Sequence, residues 1–279
     1  MIWLASLLAT VAAGFTLFHS KPERRGLAWL TLALMIFAGT WQAAAQFFEE
    51  QHKREIERQA IGKLVFANNQ FMDLLSEMIF ASSGAWLPKT EAQFLSAPVA
   101  QLVCRELNMS TQAPELPAAT WWSYVARRTT AYKESLDRIR ADSAPYLDTK
   151  TLHLIDKISH SVAVEHWPEM ANVHALNEER EWHLPPLLCW GLEPQIRESF
   201  VVVRELRASV SERARELGVN DVHNWQHFPL PRLQSLQGRA RFSPDALAEW
   251  RRTYPHVMPI GYGTDPDRIP QAHSIGFAK

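Results

Sequence analysis

The residues best suited to chemistry are histidines, and five of the eleven lie in the third quarter of the chain. His153 and His160 are seven residues apart, which places them on one side of a helix with Asp156 between them. Glu165 and His166 follow closely. Imidazole and carboxylate groups bind zinc or iron. His153, His160, Glu165 and His166 are therefore candidate metal ligands.

The motifs that would strengthen a metal site or an active site are missing from the sequence. There is no HExxH, and no ExxH pair recurs on two predicted helices as a di-iron bundle requires. Nucleophile elbows, P-loops and dinucleotide-binding glycine motifs are also absent, and GYGTD at 261–265 is typical of a turn. The simpler interpretation is a set of solvated or singly hydrogen-bonded histidines. The sequence favours a non-enzymatic protein with no cofactor.

The element that must position everything else runs from Leu27 to about Phe80 without a proline. Its first half is apolar and its second half is amphipathic. Residues 2–18 carry no charge either, and a short basic turn joins the two apolar segments. This pattern predicts a transmembrane hairpin over 1–48, with spans at about 2–18 and 27–46. A cleaved signal peptide is the alternative for the first segment, but no basic residue precedes it.

Small residues are spaced so that the two predicted spans could pack together. Ala5, Ala9 and Ala13 recur every fourth residue, and Gly39 with Ala43 offers a small face on the second span. Small side chains let transmembrane backbones approach closely. The alternative is that alanine is simply common in such helices.

The basic residues predict the orientation of the hairpin. Lys21, Arg24 and Arg25 lie in the turn, which indicates a cytoplasmic turn with the large C-terminal domain outside the cytoplasm. Lys53 and Arg54 follow the second span and favour the opposite orientation. We expect a multi-pass protein integral to a membrane, the inner membrane if the source is bacterial.

The rest of the chain predicts an all-α fold. Apolar positions with helical spacing define four amphipathic helices within 49–218, which indicates a domain resembling a four-helix bundle. The segment 169–194 is predicted to be a long connection with one short helix. Residues 219–279 lose the periodicity and are predicted to be an irregular extension with a short helix at Ser243–Arg252. The net charge of −1 argues against nucleic acid as a partner.

The two cysteines allow two interpretations. Cys104 and Cys189 both lie in apolar contexts, which favours two buried thiols. In an oxidising compartment, a disulfide that closes a long loop is the alternative.

These features favour a membrane-anchored interaction module, a subunit or accessory factor of a membrane-associated complex. Its expected partners are the lipid bilayer and either another protein or further copies of the chain. Aromatic residues of the extension would provide a binding surface: Trp225, Trp250, Tyr254 and Tyr262. One alternative is a membrane-bound metal-dependent enzyme that uses the histidines and glutamates of 153–178. Another is a sensor-like input domain that signals through a membrane partner.

Overall fold

The computed structural model of the protein describes residues 25–83, 91–114, 119–180, 187–188, 193–219, 236–242 and 244–253. Helices account for most of these residues, and no strand occurs among them. The α-helices are α1 (Arg25–Ser82), α2 (Glu91–Phe94), α3 (Ala97–Glu106), α4 (Trp121–Ser143), α5 (Thr149–Ser159), α6 (Val162–Arg180), α7 (Glu193–Glu216) and α8 (Pro244–Thr253). A short 3-10 helix, Ala144–Tyr146, lies between α4 and α5. The prediction of an all-α fold is confirmed.

The chain divides into two compact units, residues 1–56 and residues 57–279, and α1 begins in the first and ends in the second. In the first unit, large apolar side chains of α1 are exposed from Trp29 to Phe48. None of the helices in the described ranges has both the length and the hydropathy of a membrane span. The predicted first span, 2–18, lies outside the described residues.

In the second unit, α1, α4, the α5–α6 pair and α7 surround one apolar core. α4 runs antiparallel to α1, because Tyr124 contacts Glu77 and Tyr132 contacts Asn68. α7 is also antiparallel to α1, with Arg213 bonded to Glu57. The core includes positions that the helical spacing predicted, such as Leu64, Phe71 and Met78 of α1. It also includes residues outside that pattern, such as Trp167 and Ala240. Each fully buried Leu or Phe contributes roughly 1.5–3 kcal/mol.

The prediction of a long connection over 169–194 is wrong for its first part. The structure continues as helix to Arg180, with Pro168 inside α6. Pro168 lies in the second turn, and the helix tolerates it because Trp167 and Met170 are buried on its inner side. The actual interruption is at His160–Ser161, where α5 ends and α6 begins.

Residues 236–242 are joined by backbone hydrogen bonds to the helices of the second unit, which is also called the helical domain below. Gly238 N donates to Phe80 O at 3.0 Å, and Ala240 N donates to Ala81 O at 3.0 Å. These bonds satisfy carbonyls at the end of α1 that have no partner within the helix. Gly238 adopts φ +68, a left-handed conformation that favours glycine.

Cys104 is fully buried in α3 and is disulfide-bonded. The interpretation of Cys104 as a free thiol is therefore wrong, and the alternative holds for this residue. The sequence contains one other cysteine, Cys189, which lies outside the described residues. The neighbouring Leu187 is buried and pairs with Asn108, which is four residues after Cys104.

Candidate functional site

A groove opens beside the break between α5 and α6, with α7 as its opposite wall, and it encloses about 390 Å³. His160 N donates to Asp156 O at 3.2 Å, which completes the last turn of α5. The carbonyl of Ser161 then accepts from Val164 N at 3.0 Å and starts α6. The chain therefore passes from α5 to α6 at His160–Ser161, and both residues line the groove.

The α5 edge of the groove carries most of its basic side chains. His153, Lys157 and His160 share one face of α5, and all three are exposed. Asp156 lies between them and forms an ion pair with Arg140 of α4. His160 Nδ1 lies 2.9 Å from Asp156 O and 3.8 Å from Asp156 Oδ1. Asp156 is the only carboxylate on this edge, and its negative charge is neutralised by the Arg140 guanidinium, which lies outside the groove lining.

The α7 edge is polar at its rim and packed at its base. Gln195 and Glu198 line the rim, while Ser199 and Val202 are buried. Ser199 Oγ donates to Gln195 O at 2.9 Å and accepts from Ala163 N at 3.3 Å. This hydroxyl therefore links α7 to the first turn of α6 at the base of the groove.

Two side-chain oxygens of groove residues, Ser161 Oγ and Gln195 Oε1, are buried and have no hydrogen-bond partner. A buried polar atom without a partner costs about 1–3 kcal/mol.

The structure brings only two of the four candidate metal ligands to this groove. His153 and His160 line it, whereas Glu165 accepts a hydrogen bond from Lys133 Nζ at 3.1 Å. His166 Nδ1 lies 2.8 Å from Glu169 Oε2. Across the described parts of the chain, no group of three or more His, Cys, Asp or Glu side chains could hold a metal ion.

Sequence reasoning missed a buried polar network between α1, α4 and α7. Tyr132 Oη donates to Asn68 Oδ1 at 2.8 Å, and Arg207 Nη1 donates to Asn69 Oδ1 at 3.3 Å. Burial raises the pKa of Tyr132 strongly, and the charge of Arg207 opposes this only in part. The signal in the sequence was Asn68 itself, a polar residue within the apolar stripe of α1.

A second buried contact joins α1 to α4. Tyr124 Oη donates to Glu77 Oε2 at 2.5 Å, and both residues are buried. The guanidinium groups of Arg127 and Arg128 lie 5.8 Å and 5.6 Å from the centre of the Tyr124 ring. These contacts position α4 on α1, and they lie outside the groove.

The residues predicted to mediate packing and partner binding are only partly described. Gly39 and Ala43 are half-buried in α1, whereas Trp41 between them is 70% exposed. Trp250 lies in α8. The other predicted positions lie outside the described residues: Ala5, Ala9, Ala13, Trp225, Tyr254 and Tyr262.

Comparison with known proteins finds no matching family model, no similar curated protein and no similar solved structure.

Proposed function

We propose that the protein is a membrane-anchored, non-enzymatic helical module that acts by binding, as a subunit or accessory factor of a membrane-associated complex. The observation that carries the proposal is the set of large apolar side chains exposed on α1 between Trp29 and Phe48, here called the apolar belt. Its members are Trp29, Leu30, Leu34, Met35, Ile36, Phe37, Trp41, Phe47 and Phe48.

The length of the apolar belt matches the thickness of a bilayer, although no helix in the described ranges has both the length and the hydropathy of a membrane span. From Trp29 to Phe48 a helix rises about 29 Å, close to the roughly 30 Å thickness of the hydrocarbon core. The side chains point to most sides of α1, and a helix that is apolar nearly all round requires an apolar environment. The sequence from Gly26 to Phe48 contains no charged residue, and charges resume at Glu49.

One narrow face of this helix differs from the rest. Leu32, Gly39, Ala43 and Gln46 are half-buried and fall on a single stripe, while their neighbours are exposed. Two of the four are small residues, and small faces allow close helix packing in membranes. This stripe is the face on which we propose that a second transmembrane helix packs, as in the predicted hairpin.

The disulfide supports a location of the second unit outside the cytoplasm. Cys104 is disulfide-bonded, and disulfides persist in oxidising compartments. The basic residues of the predicted turn favour the same orientation, although Lys53 and Arg54 oppose it. We therefore propose a multi-pass membrane protein, of the inner membrane if bacterial, whose helical domain faces the oxidising side.

A matched pair of substitutions on α1 tests the anchoring. Phe37, in the apolar belt, is 65% exposed, and Phe66, in the second unit, is 63% exposed. An arginine near the bilayer centre costs about 2.5–3.5 kcal/mol, so Phe37→Arg should shift protein from the membrane pellet to the carbonate-soluble fraction. Phe66→Arg should leave the pellet fraction unchanged. Equal extraction of both variants and of the native protein would contradict the proposal.

Crosslinking in native membranes tests the binding role. A membrane-associated complex predicts one defined crosslinked species, which mass spectrometry identifies as a partner protein or a second copy of the chain. Recovery of the monomer alone, under conditions that crosslink a known membrane complex, would contradict the proposed role.

A second candidate function is a sensor-like input domain that signals through a membrane partner. The observation that favours it is the groove between α5 and α7, with charged residues on both rims. A ligand that binds there should change the crosslinking pattern of the protein in membranes. An identical pattern with and without a bound ligand would exclude this function.

A further inference from the structure

Two unpaired charges of opposite sign line the groove from different helices. Lys157 belongs to α5 and Glu198 to α7, and both side chains are exposed. Within the described ranges neither residue forms an ion pair, so the two charged groups lie more than 4.0 Å apart. The remaining carboxylate of the groove, Asp156, is already paired with Arg140. Among the described residues, the Lys157 ammonium group and the Glu198 carboxylate therefore have no ion-pair partner, and both line the same groove.

Two apolar side chains also line the groove. Val162 and Val202 contribute to its lining, and Val202 is buried. The volume of about 390 Å³ lies within the range of small-molecule sites, which is roughly 300–1,000 Å³. A molecule that fills this space would have a short apolar body between two polar ends.

We propose that the groove binds a small zwitterion, a molecule with one carboxylate and one primary ammonium group separated by a short hydrocarbon segment. The carboxylate would pair with Lys157, beside the ring nitrogens of His153 and His160. The ammonium group would pair with Glu198, and Gln195 Oε1 could accept from it after a rotation of its side chain.

The same geometry disfavours ligands with a single charge. A simple anion attracted by Lys157 is repelled by Glu198, and a simple cation has the reverse difficulty. A zwitterion satisfies both groups at once. This binding site does not depend on the membrane anchoring, because every residue in it belongs to the second unit.

Titration calorimetry on the full chain in detergent micelles tests the ligand class. The probes are glycine, β-alanine, 4-aminobutanoate and 6-aminohexanoate, which differ only in the number of methylene groups, with butylamine and butanoate as singly charged controls. At least one zwitterion should bind saturably, and about tenfold more tightly than either control, because each control loses one of two charge contacts. Absence of saturable binding by all four zwitterions would overturn the proposal. Equal affinity of a singly charged control would also overturn it.

Charge reversal tests the two residues directly. Lys157→Glu and Glu198→Lys should each weaken binding of the best zwitterion about tenfold, because each replaces an attraction by a repulsion. The double variant should bind nearly as well as the native protein, because a zwitterion can turn around in the groove. Lys150→Glu and Glu205→Lys, on the same helices but outside the groove, are the matched controls.

Two further measurements show whether Lys157 and Glu198 bind the ligand or only stabilise the fold. Circular dichroism and the thermal midpoint show whether each variant folds. Folded single variants with native affinity would overturn the proposal, and so would a folded double variant that stays as weak as the singles. The carbonate extraction of these variants should equal that of the native protein, so failure here is distinguishable from failure of the anchoring.

Discussion

Tyr132 donates a 2.8 Å hydrogen bond to Asn68 in the interior of the helical domain, where neither side chain is more than 3% exposed. Asn68 Nδ2 has no partner, so this bond is what compensates the burial of the amide. The ring of Tyr132 also stacks on Phe71, with centroids 4.6 Å apart. The pair therefore joins α1 to α4 through both polar and apolar contacts.

Replacement of Tyr132 should show how much the buried amide depends on it. Tyr132→Phe keeps the ring and removes the donor, so we expect the free energy of unfolding to fall by about 1–3 kcal/mol. Asn68→Leu should also destabilise, because it leaves the Tyr132 hydroxyl unpartnered. The double variant should lose less than the sum of the two, as coupled partners do. Urea unfolding measures all three, and native stability of Tyr132→Phe would contradict the assignment.

Arg213 connects the end of α7 to α1 near the boundary of the two units. Its Nε lies 2.5 Å from Glu57 Oε1, and Glu57 has a side-chain exposure of only 13%. Hydrogen bonds to Glu57 and Glu216 raise the pKa of Arg213, which therefore stays charged. Arg213→Gln should cost about 1–3 kcal/mol, because a poorly solvated carboxylate loses its charged partner.

Substitution of Glu216, the exposed partner of Arg213, is the control for Arg213→Gln. Glu216 is 54% exposed, and we expect Glu216→Gln to cost less than about 0.5 kcal/mol, as is common for surface ion pairs. Chemical unfolding of the two variants should therefore separate them clearly. Equal losses would indicate that the contact with Glu57 contributes no more than a surface pair.

Asp148 starts α5 and should make stability depend on acid pH. Burial alone would raise the pKa of this carboxyl, but hydrogen bonds from the Thr151 side chain and from backbone amides outweigh it and lower the pKa. Because the folded-state pKa is depressed, the stabilisation is present above the unfolded-state pKa and disappears as the pH falls through the folded-state pKa. The native protein should therefore lose this contribution below about pH 4.

Two variants of Asp148 separate the cap from its charge. Asp148→Ala should cost about 1 kcal/mol at neutral pH, because Thr151 N loses its acceptor, which lies 2.9 Å away. Asp148→Asn keeps a capping oxygen and should stay near native stability at neutral pH. Its unfolding midpoint should fall less than the native midpoint between pH 7 and pH 3. An identical fall for both proteins would contradict the titration of Asp148.

Replacement by alanine should stabilise the protein at one glycine and destabilise it at another. Gly62 lies inside α1, and a Cβ there would be 4.0 Å from Val219 Cγ1, an ordinary contact. Gly62→Ala should stabilise by about 0.5–1 kcal/mol. Gly238→Ala should destabilise by about 1–2 kcal/mol, because φ is +68 and alanine is strained there. Thermal unfolding of the two variants measures both signs.

The disulfide should make the helical domain sensitive to reductant. Cys104 has one possible intrachain partner, Cys189, and closure of a loop of this length contributes about 2–4 kcal/mol. Reductant should lower the unfolding midpoint of the native protein and leave Cys104→Ala unchanged. Cys189→Ala should behave as Cys104→Ala does, and a Cys189→Ala protein that still responds to reductant would contradict an intrachain bond.

The helix of α1 could be predicted because its apolar spacing is regular and no proline interrupts it. The expected range, Leu27 to about Phe80, differs from Arg25–Ser82 by two residues at each end. The sequence does not predict α6 because Pro168 is a helix breaker, and a proline inside a helix costs about 3 kcal/mol. Burial of Trp167 and Met170 offsets this cost. The helix propensity of the local sequence carries no information about this burial, because it depends on the helices packed against α6.

The candidate groove was only half predictable. The spacing of His153 and His160 placed them on one face of a helix, and both line the groove. Glu198 was not linked to them, because periodicity tells which face of a helix is apolar but not which helix lies opposite. The same limit applies to Cys104, whose apolar neighbours are typical of a free thiol and of a buried disulfide alike.

The hydrogen bonds at the end of α1 join parts of the chain that are far apart in the sequence. The carbonyls of Phe80 and Ala81 find their partners at Gly238 and Ala240, and Arg213 reaches Glu57 across 156 residues of sequence. Contacts of such long range make folding slow, because a long loop must close before they form. During synthesis α1 leaves the ribosome long before α7 and residues 236–242 exist. The second unit can therefore complete these contacts only after synthesis has passed residue 242.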